Sequence, residues 1–203
     1  MEIVVATGNQ KKLKEIQGIL KELPVRLLTL NDFPPLPEPA EDGKTFAENA
    51  AKKAKYYARK LKKIVLAEDS GLEITALGGK PGVYSARFAG PGKKDSDNIA
   101  KVLGLMEGIP KEKRQARFTS AVCLAFPERK VFAFEGKKQG FIGLNPKGEG
   151  GFGYDPIFFL PEKKKTFAQM KPEEKNRISH RRQALEQLRD FLTTDTNALN
   201  NLM

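Results

Sequence analysis

The chain has 203 residues, 39% of them hydrophobic and 30% charged, enough apolar side chain for one sizeable buried core. Its single cysteine excludes an internal disulfide and a multi-cysteine zinc site, and no apolar run reaches the roughly 20 residues a membrane helix needs. The formal net charge of +11 points to an anionic partner, either nucleic acid or a phosphorylated small molecule.

In chain order, residues 2–6 (EIVVA) read as a short buried strand, and Leu13, Ile16, Leu20 and Leu23 recur at helical spacing from about residue 10. The N-terminus has no basic region or cleavage site, so a cytoplasmic location is expected. Residues 25–30 predict a second strand, and the proline-rich stretch Pro34 to Pro39 a loop. TFAE at Thr45 to Glu48 fits a capping box that opens an Ala-rich helix running to about Leu61. Ile64 to Ala67 reads as a buried strand ending at Glu68-Asp69-Ser70-Gly71, with Leu72 to Thr75 continuing or bending it.

A helix is expected from about Asp95 to Met106, and an antiparallel hairpin from Ala116 to Ile142 that turns at Pro127-Glu128-Arg129. A glycine-rich loop spans Gly143 to Tyr154. One more strand follows around Phe158, then a last amphipathic helix carrying Leu185, Leu188, Phe191 and Leu192, and a polar, frayed tail at 193–203. This order predicts an α/β protein: one domain over 1–192 with a mixed β-sheet flanked by helices.

Thr7-Gly8-Asn9-Gln10-Lys11-Lys12 lies where the first strand yields to a helix, so backbone N–H groups and lysine charge there suit phosphate oxygens. The alternative is Thr7 or Asn9 as an ordinary N-cap. A Walker loop is excluded, because its second glycine and Gly-Lys-Ser/Thr ending are missing. Glu68 and Asp69 at a strand end suit Mg²⁺ and proton abstraction from water, against the alternative of an Asp-Ser-Gly turn. Glu38, Glu41 and Asp42 form an acidic patch; Glu48 and Asn49 read as helix caps, and Lys53 as solvated. Cys123, inside an apolar run, reads as a core residue.

Gly148 to Gly153 contains G-x-G-x-x-G, but no strand-to-helix unit surrounds it, so a dinucleotide fingerprint is rejected. Phe152 and Tyr154 beside Asp155 read instead as a wall for stacking a base. Lys175 to Arg181 holds the only histidine, His180. With Ser179 as an N-cap, His180 and Arg181 fall in the first turn of the last helix.

In order along the chain stand T-G-N-x-x-K, E-x-G-x-T-F-x-E-N-A-x-x-K-A, D-S-G-L with L-G-G-x-P-G-x-Y-S-A-R, F-G-Y-D-P-x-F and E-K-N-x-x-S-H-R. This series closely resembles the Ham1-like, or inosine triphosphate pyrophosphatase, family from about Met1 to Phe191. The resemblance implies two lobes with a central cleft and a Mg²⁺-dependent hydrolase, a homodimer, that cleaves ITP, dITP and XTP to the monophosphate and pyrophosphate. It further implies Thr7 to Lys12 and Lys53 as triphosphate ligands, Asp69 as general base and metal ligand, and Ser70 as a substrate contact. Phe152, Gly153, Tyr154, Asp155, Lys175, His180 and Arg181 would form the purine end.

The chain departs from that pattern at Ala40, three positions before Gly43, where many members have an acid; Glu41, then Glu38, is the candidate second metal ligand. Two other functions remain on the sequence: a basic nucleic-acid-binding module, which leaves the carboxylates at 68 and 69 unused, and a pyrophosphatase of modified pyrimidine nucleotides. The S-H-R and F-G-Y-D motifs favour purine, and no stable nucleic-acid partner and no membrane association are expected.

Overall fold

The computed structural model describes residues 1–194 except 22, 24, 93, 128 and 129. Seven strands, β1 (Glu2–Ala6), β2 (Arg26–Thr29), β3 (Val65–Ile74), β4 (Gln115–Ala125), β5 (Val131–Ile142), β6 (Phe158–Leu160) and β7 (Lys165–Thr166), form one sheet in the order β2-β1-β3-β4-β5-β6-β7. β1 pairs parallel with β2 and β3, whereas β6 pairs antiparallel with β5 and β7. The sheet is therefore mixed. Among the described residues five α-helices accompany it: α1 (Gln10–Leu20), α2 (Phe46–Leu61), α3 (Asp95–Leu105), α4 (Pro172–Ile178) and α5 (His180–Thr194).

The chain divides into two compact units. The first comprises residues 1–69, 120–136 and 181 onward; the second comprises 70–119 and 137–180. In the first unit the two-residue period of the strands sends Ile3, Val5, Leu66, Val122 and Leu124 into a core completed by Leu13, Ile16 and Leu20 of α1 and Leu185, Leu188 and Leu192 of α5. Each of those buried side chains contributes about 1.5–3 kcal/mol of hydrophobic stabilisation. The Ala-rich helix α2 meets the opposite face, where small residues permit close approach: Cys123 Sγ lies 3.8 Å from the Ala47 carbonyl. Burial pushes the Cys123 thiol up to about 11, as befits a core residue. In the second unit Leu72, Ile74, Val102, Met106, Ile142 and Phe167 surround a tilted Phe118–Phe158 pair with ring centroids 4.6 Å apart.

Several expectations change. β3 does not stop at Glu68 but runs on to Ile74, so Asp69 lies in mid-strand and the Asp-Ser-Gly turn is overturned. What ends near that point is the parallel pairing with β1, whose register finishes at Ala6 opposite Ala67. Position 71 requires glycine, because a Cβ there would strike Ser85 Oγ and come within 2.8 Å of the Gly82 carbonyl. The α2 cap is half of the expected box. Thr45 Oγ1 accepts from the Glu48 N–H at 3.1 Å, but the Glu48 carboxylate reaches back to the Lys44 N–H at 2.7 Å. Neither β7 nor α4 was foreseen. Leu23 falls beyond the end of α1, and the expected turn residues Glu128 and Arg129 lie outside the described residues. Residues 193 and 194 belong to α5, not to the tail, and 195–203 lie outside the described residues.

Candidate active site

The first unit gathers the phosphate, metal and base candidates. At the β1–α1 junction Asn9 is the N-cap: its Oδ1 accepts from the Lys11 and Lys12 N–H groups at 3.0 and 3.1 Å, and Thr7 Oγ1 accepts from the Asn9 N–H at 3.2 Å. Gly8, Asn9, Gln10 and Lys11 are exposed, and the Glu38 carboxylate stands 3.4 Å from where a Cβ on Gly8 would sit. Lys12 turns inward, its Nζ 3.5 Å from Glu68 Oε2.

Asp69 is buried to 9% exposure, and its carboxylate accepts from Asn49 Nδ2 at 3.0 Å. Burial raises its pKa, the charge of Glu41 adds to the rise, and Lys12, the Asn49 hydrogen bond and Lys53 oppose it. Asn49 was expected as a helix cap. Instead it is buried inside α2, and its Oδ1 accepts from the Gly43 N–H at 2.8 Å while its amide holds Asp69. An asparagine in an Ala-rich helix, where its propensity is poor, is the sequence signal for such a role. Glu41 pairs with Lys53 and Asp42 with Lys52.

Glu68 points to the other side of β3 from Asp69 and is fully sequestered. Its Oε1 accepts from Ser120 Oγ at 2.7 Å and from Arg181 Nε at 3.0 Å and Nη2 at 2.8 Å. Arg181, 1% exposed, places Nη1 on Glu15. Burial works to raise the Glu68 pKa, but Arg181, Lys12 and the Ser120 hydroxyl outweigh it and hold the carboxyl below its ordinary value. Burial likewise works to lower the Arg181 pKa, and Glu68 and Glu15 hold it above the ordinary value. Neither Glu15 nor Ser120 was singled out in the sequence, because α1 and β4 carry them with no motif of their own.

The second unit gathers most of the candidates for contact with a purine ring. Phe152 donates its N–H to Asp155 Oδ2 at 2.9 Å, and Lys175 Nζ lies 2.6 Å from the same oxygen and 4.7 Å from the Phe152 ring centroid. Tyr154 is buried and donates its hydroxyl to the Ser85 carbonyl at 2.9 Å. Burial first, and Asp95 second, push its phenol upward. His180, at the start of α5 directly after Ser179, stacks on Phe118 with centroids 4.8 Å apart and planes 11° from parallel. Ser70 follows Asp69 along β3 and is half-buried.

Chemically, a carboxylate with a raised pKa, oriented by an amide and attended by lysines, can take a proton from water near a polyanion. The charge of Glu41 is felt at Asp69, so these two carboxylates are the oxygen donors that could hold a divalent cation beside a phosphorylated ligand. Among the described residues no group of three or more His, Cys, Asp or Glu side chains is placed to hold an ion unaided, and no helix is long and apolar enough to cross a membrane.

Fold and site together define an α/β protein of mixed sheet with a buried, lysine-attended acid in mid-strand. The chain belongs to the Ham1 family, whose model matches residues 3–191. It is 51% identical over 187 residues to a dITP/XTP pyrophosphatase of Geobacillus kaustophilus, covering 92% of each chain. It is 50% identical over 190 residues to one of Geobacter sulfurreducens, covering 94% of this chain and 96% of that one. Among solved structures, the Ham1 protein of Staphylococcus aureus superposes with a TM-score of 0.87 at 40% identity, covering 96% of this chain and 100% of that one.

Proposed function

We propose that this chain hydrolyses the non-canonical purine triphosphates ITP, dITP and XTP to the monophosphate and pyrophosphate, and so cleanses the nucleotide pool. The observation that carries this reading is Asp69: a buried carboxylate of raised pKa, held by Asn49 and influenced by Lys12 and Lys53. The names of its relatives, dITP/XTP pyrophosphatases at about half identity, support the substrate class.

In this mechanism Asp69 accepts a proton from the water that attacks the α-phosphorus. A new P–O bond forms, the α–β bridging bond breaks, and pyrophosphate leaves. Thr7 to Lys12 and Lys53 bind and neutralise the phosphates. Asp69 and Glu41 would hold Mg²⁺, which when bound would supply charge neutralisation at the phosphate oxygens. Glu41 is preferred to Glu38 because its charge is felt at Asp69, whereas Glu38 stands by Gly8 and Tyr57.

Phe152 to Asp155, Lys175, His180 and Arg181 serve the purine, with Ser70 touching substrate. Hypoxanthine and xanthine carry a carbonyl oxygen at C6 where adenine carries an amine, so protein donors there bond to the first two and leave adenine mispaired. Glu15 and Glu68 fix the plane from which Arg181 acts. Residues 1–192 work as one functional domain of a cytoplasmic homodimer.

The test is Mg²⁺-dependent product analysis over a nucleotide panel with the wild type and Asp69→Asn. Pyrophosphate from ITP, dITP and XTP but not from ATP is expected, with Asp69→Asn binding ITP without turning it over. Orthophosphate as product, equal use of ATP, or an active Asp69→Asn would each sink the reading.

A further inference from the structure

The segment from Gly148 to Gly153 contains glycines at 148, 150, 151 and 153, of which Gly148, Gly151 and Gly153 have positive φ. Such a run has little conformational preference of its own, so an aromatic side chain in it points wherever outside contacts direct its backbone. Phe152 has two such contacts. Its own N–H donates to Asp155 Oδ2 at 2.9 Å, and the next N–H, that of Gly153, donates to Asp95 Oδ2 at 2.7 Å. The two peptide planes flanking the Phe152 Cα are thus each pinned by a carboxylate, which sets the direction in which the Phe152 side chain leaves the backbone.

Asp95 is well placed for this. It is the first residue of α3, 58 positions from Gly153, and its neighbours in the same turn are otherwise engaged. Ser96 Oγ donates to Asp97, while Asn98 accepts from the Ala89 N–H at 2.7 Å and donates to the Ala86 carbonyl at 3.3 Å. Asn98 thereby secures the segment whose Ser85 carbonyl receives the Tyr154 hydroxyl. Gly153 and Tyr154 are in this way both tied, one directly and one through Ser85, to the first turn of α3.

We propose that Asp95 is a positioning residue for purine binding: by holding the Gly153 N–H it aims Phe152 at the base. The proposal rests on the reading of Phe152 as a base contact and extends it to a residue outside the aromatic motif. Asp95 acts on the loop, through the Gly153 N–H, so its effect falls on substrate affinity and not on the chemical step.

The experiment is steady-state hydrolysis of ITP by Asp95→Ala, Asp95→Asn, Phe152→Ala and the Asp95→Ala/Phe152→Ala pair. A hydrogen bond to a charged acceptor at an exposed site leads us to expect a rise in KM of about five- to tenfold for Asp95→Ala, with kcat within about twofold. Asp95→Asn, which keeps an acceptor oxygen, restores most of the affinity. The double variant has about the KM of Phe152→Ala alone, because without the ring there is nothing left to aim. An unchanged KM in Asp95→Ala while Phe152→Ala raises it, effects that multiply in the double variant, or a fall confined to kcat would each overturn the proposal. If Phe152→Ala itself leaves KM for ITP unchanged, the reading of the loop as the base contact fails, and this inference with it.

Discussion

Asn49 stands between Asp69 and the Gly43 backbone, its Nδ2 3.0 Å from Asp69 Oδ2 and its Oδ1 2.8 Å from the Gly43 nitrogen. One buried amide therefore sets the orientation of the proposed base and ties it to the loop that carries Glu41. Asn49→Ala removes both bonds. A hydrogen bond to a charged group contributes about 1.5–3 kcal/mol, so a loss of about ten- to a hundredfold in kcat for ITP is expected, measured as initial pyrophosphate release. Wild-type kcat in Asn49→Ala would contradict the role. Gly43→Ala should share part of the defect, since a Cβ there would lie 2.6 Å from Asn49 Oδ1.

The elements legible in the sequence are those in which a local pattern and the tertiary environment agree. β1 was read from an apolar run, and α2 from its Thr45 cap and alanine content. The local pattern ends the strand at Glu68-Asp69-Ser70-Gly71, with Leu72 to Thr75 continuing or bending it, while β3 is held unbroken to Ile74 by contacts such as that of the Leu72 N–H with Ser85 Oγ, 13 residues away. α4 had its signals, Pro172 at the start and Glu173 and Glu174 in the first turn, but seven residues are too few to display a hydrophobic period. The same division holds in the site. Residue types such as Asp69, Lys12 and Lys175 could be chosen from their motifs. The pairing of Glu68 with Arg181, 113 residues apart, could not, because it depends on how non-local elements pack.

Glu68 and Arg181 form a buried ion pair, and without Glu68 the buried Arg181 charge keeps only Glu15 as a carboxylate partner. Glu68→Ala should cost about 3–5 kcal/mol of stability, measured by urea denaturation at neutral pH. The pH dependence has a definite sign. The folded-state pKa of Glu68 lies below its ordinary value of 4.5, so its contribution is complete above about that pH and is lost as the pH falls through the folded-state pKa. Wild-type stability should therefore fall on acidification below 4.5, and Glu68→Gln should show a shallower fall over the same range.

Chelation of divalent ions should abolish ITP turnover, and readdition of Mg²⁺ should restore it. Glu41→Gln should raise the Mg²⁺ concentration for half-maximal rate by about tenfold or more, the scale of one lost charged contact, with little change in rate at saturating ion. Glu38→Gln, altered beside Gly8, should leave that concentration close to wild type. The reverse order in a Mg²⁺ titration of the two variants would transfer the ligand role to Glu38.

Lys175 and Asp155 are both almost fully enclosed, 5% and 3% exposed in their side chains, and 2.6 Å apart. Burying such a pair costs desolvation on both sides, so its retention is explained better by what it orders than by net stability. Asp155 Oδ2 binds the Phe152 N–H, and Lys175 Nζ lies over the Phe152 ring. Lys175→Met strands the Asp155 charge and should destabilise the fold by about 3–5 kcal/mol. At this chain length that lowers Tm by roughly 6–20 °C. Adding Asp155→Asn removes the stranded charge and should recover much of the Tm. It should not recover KM for ITP, because the cation over Phe152 is still missing. A double variant that regains both Tm and KM would show that the pair serves the fold alone.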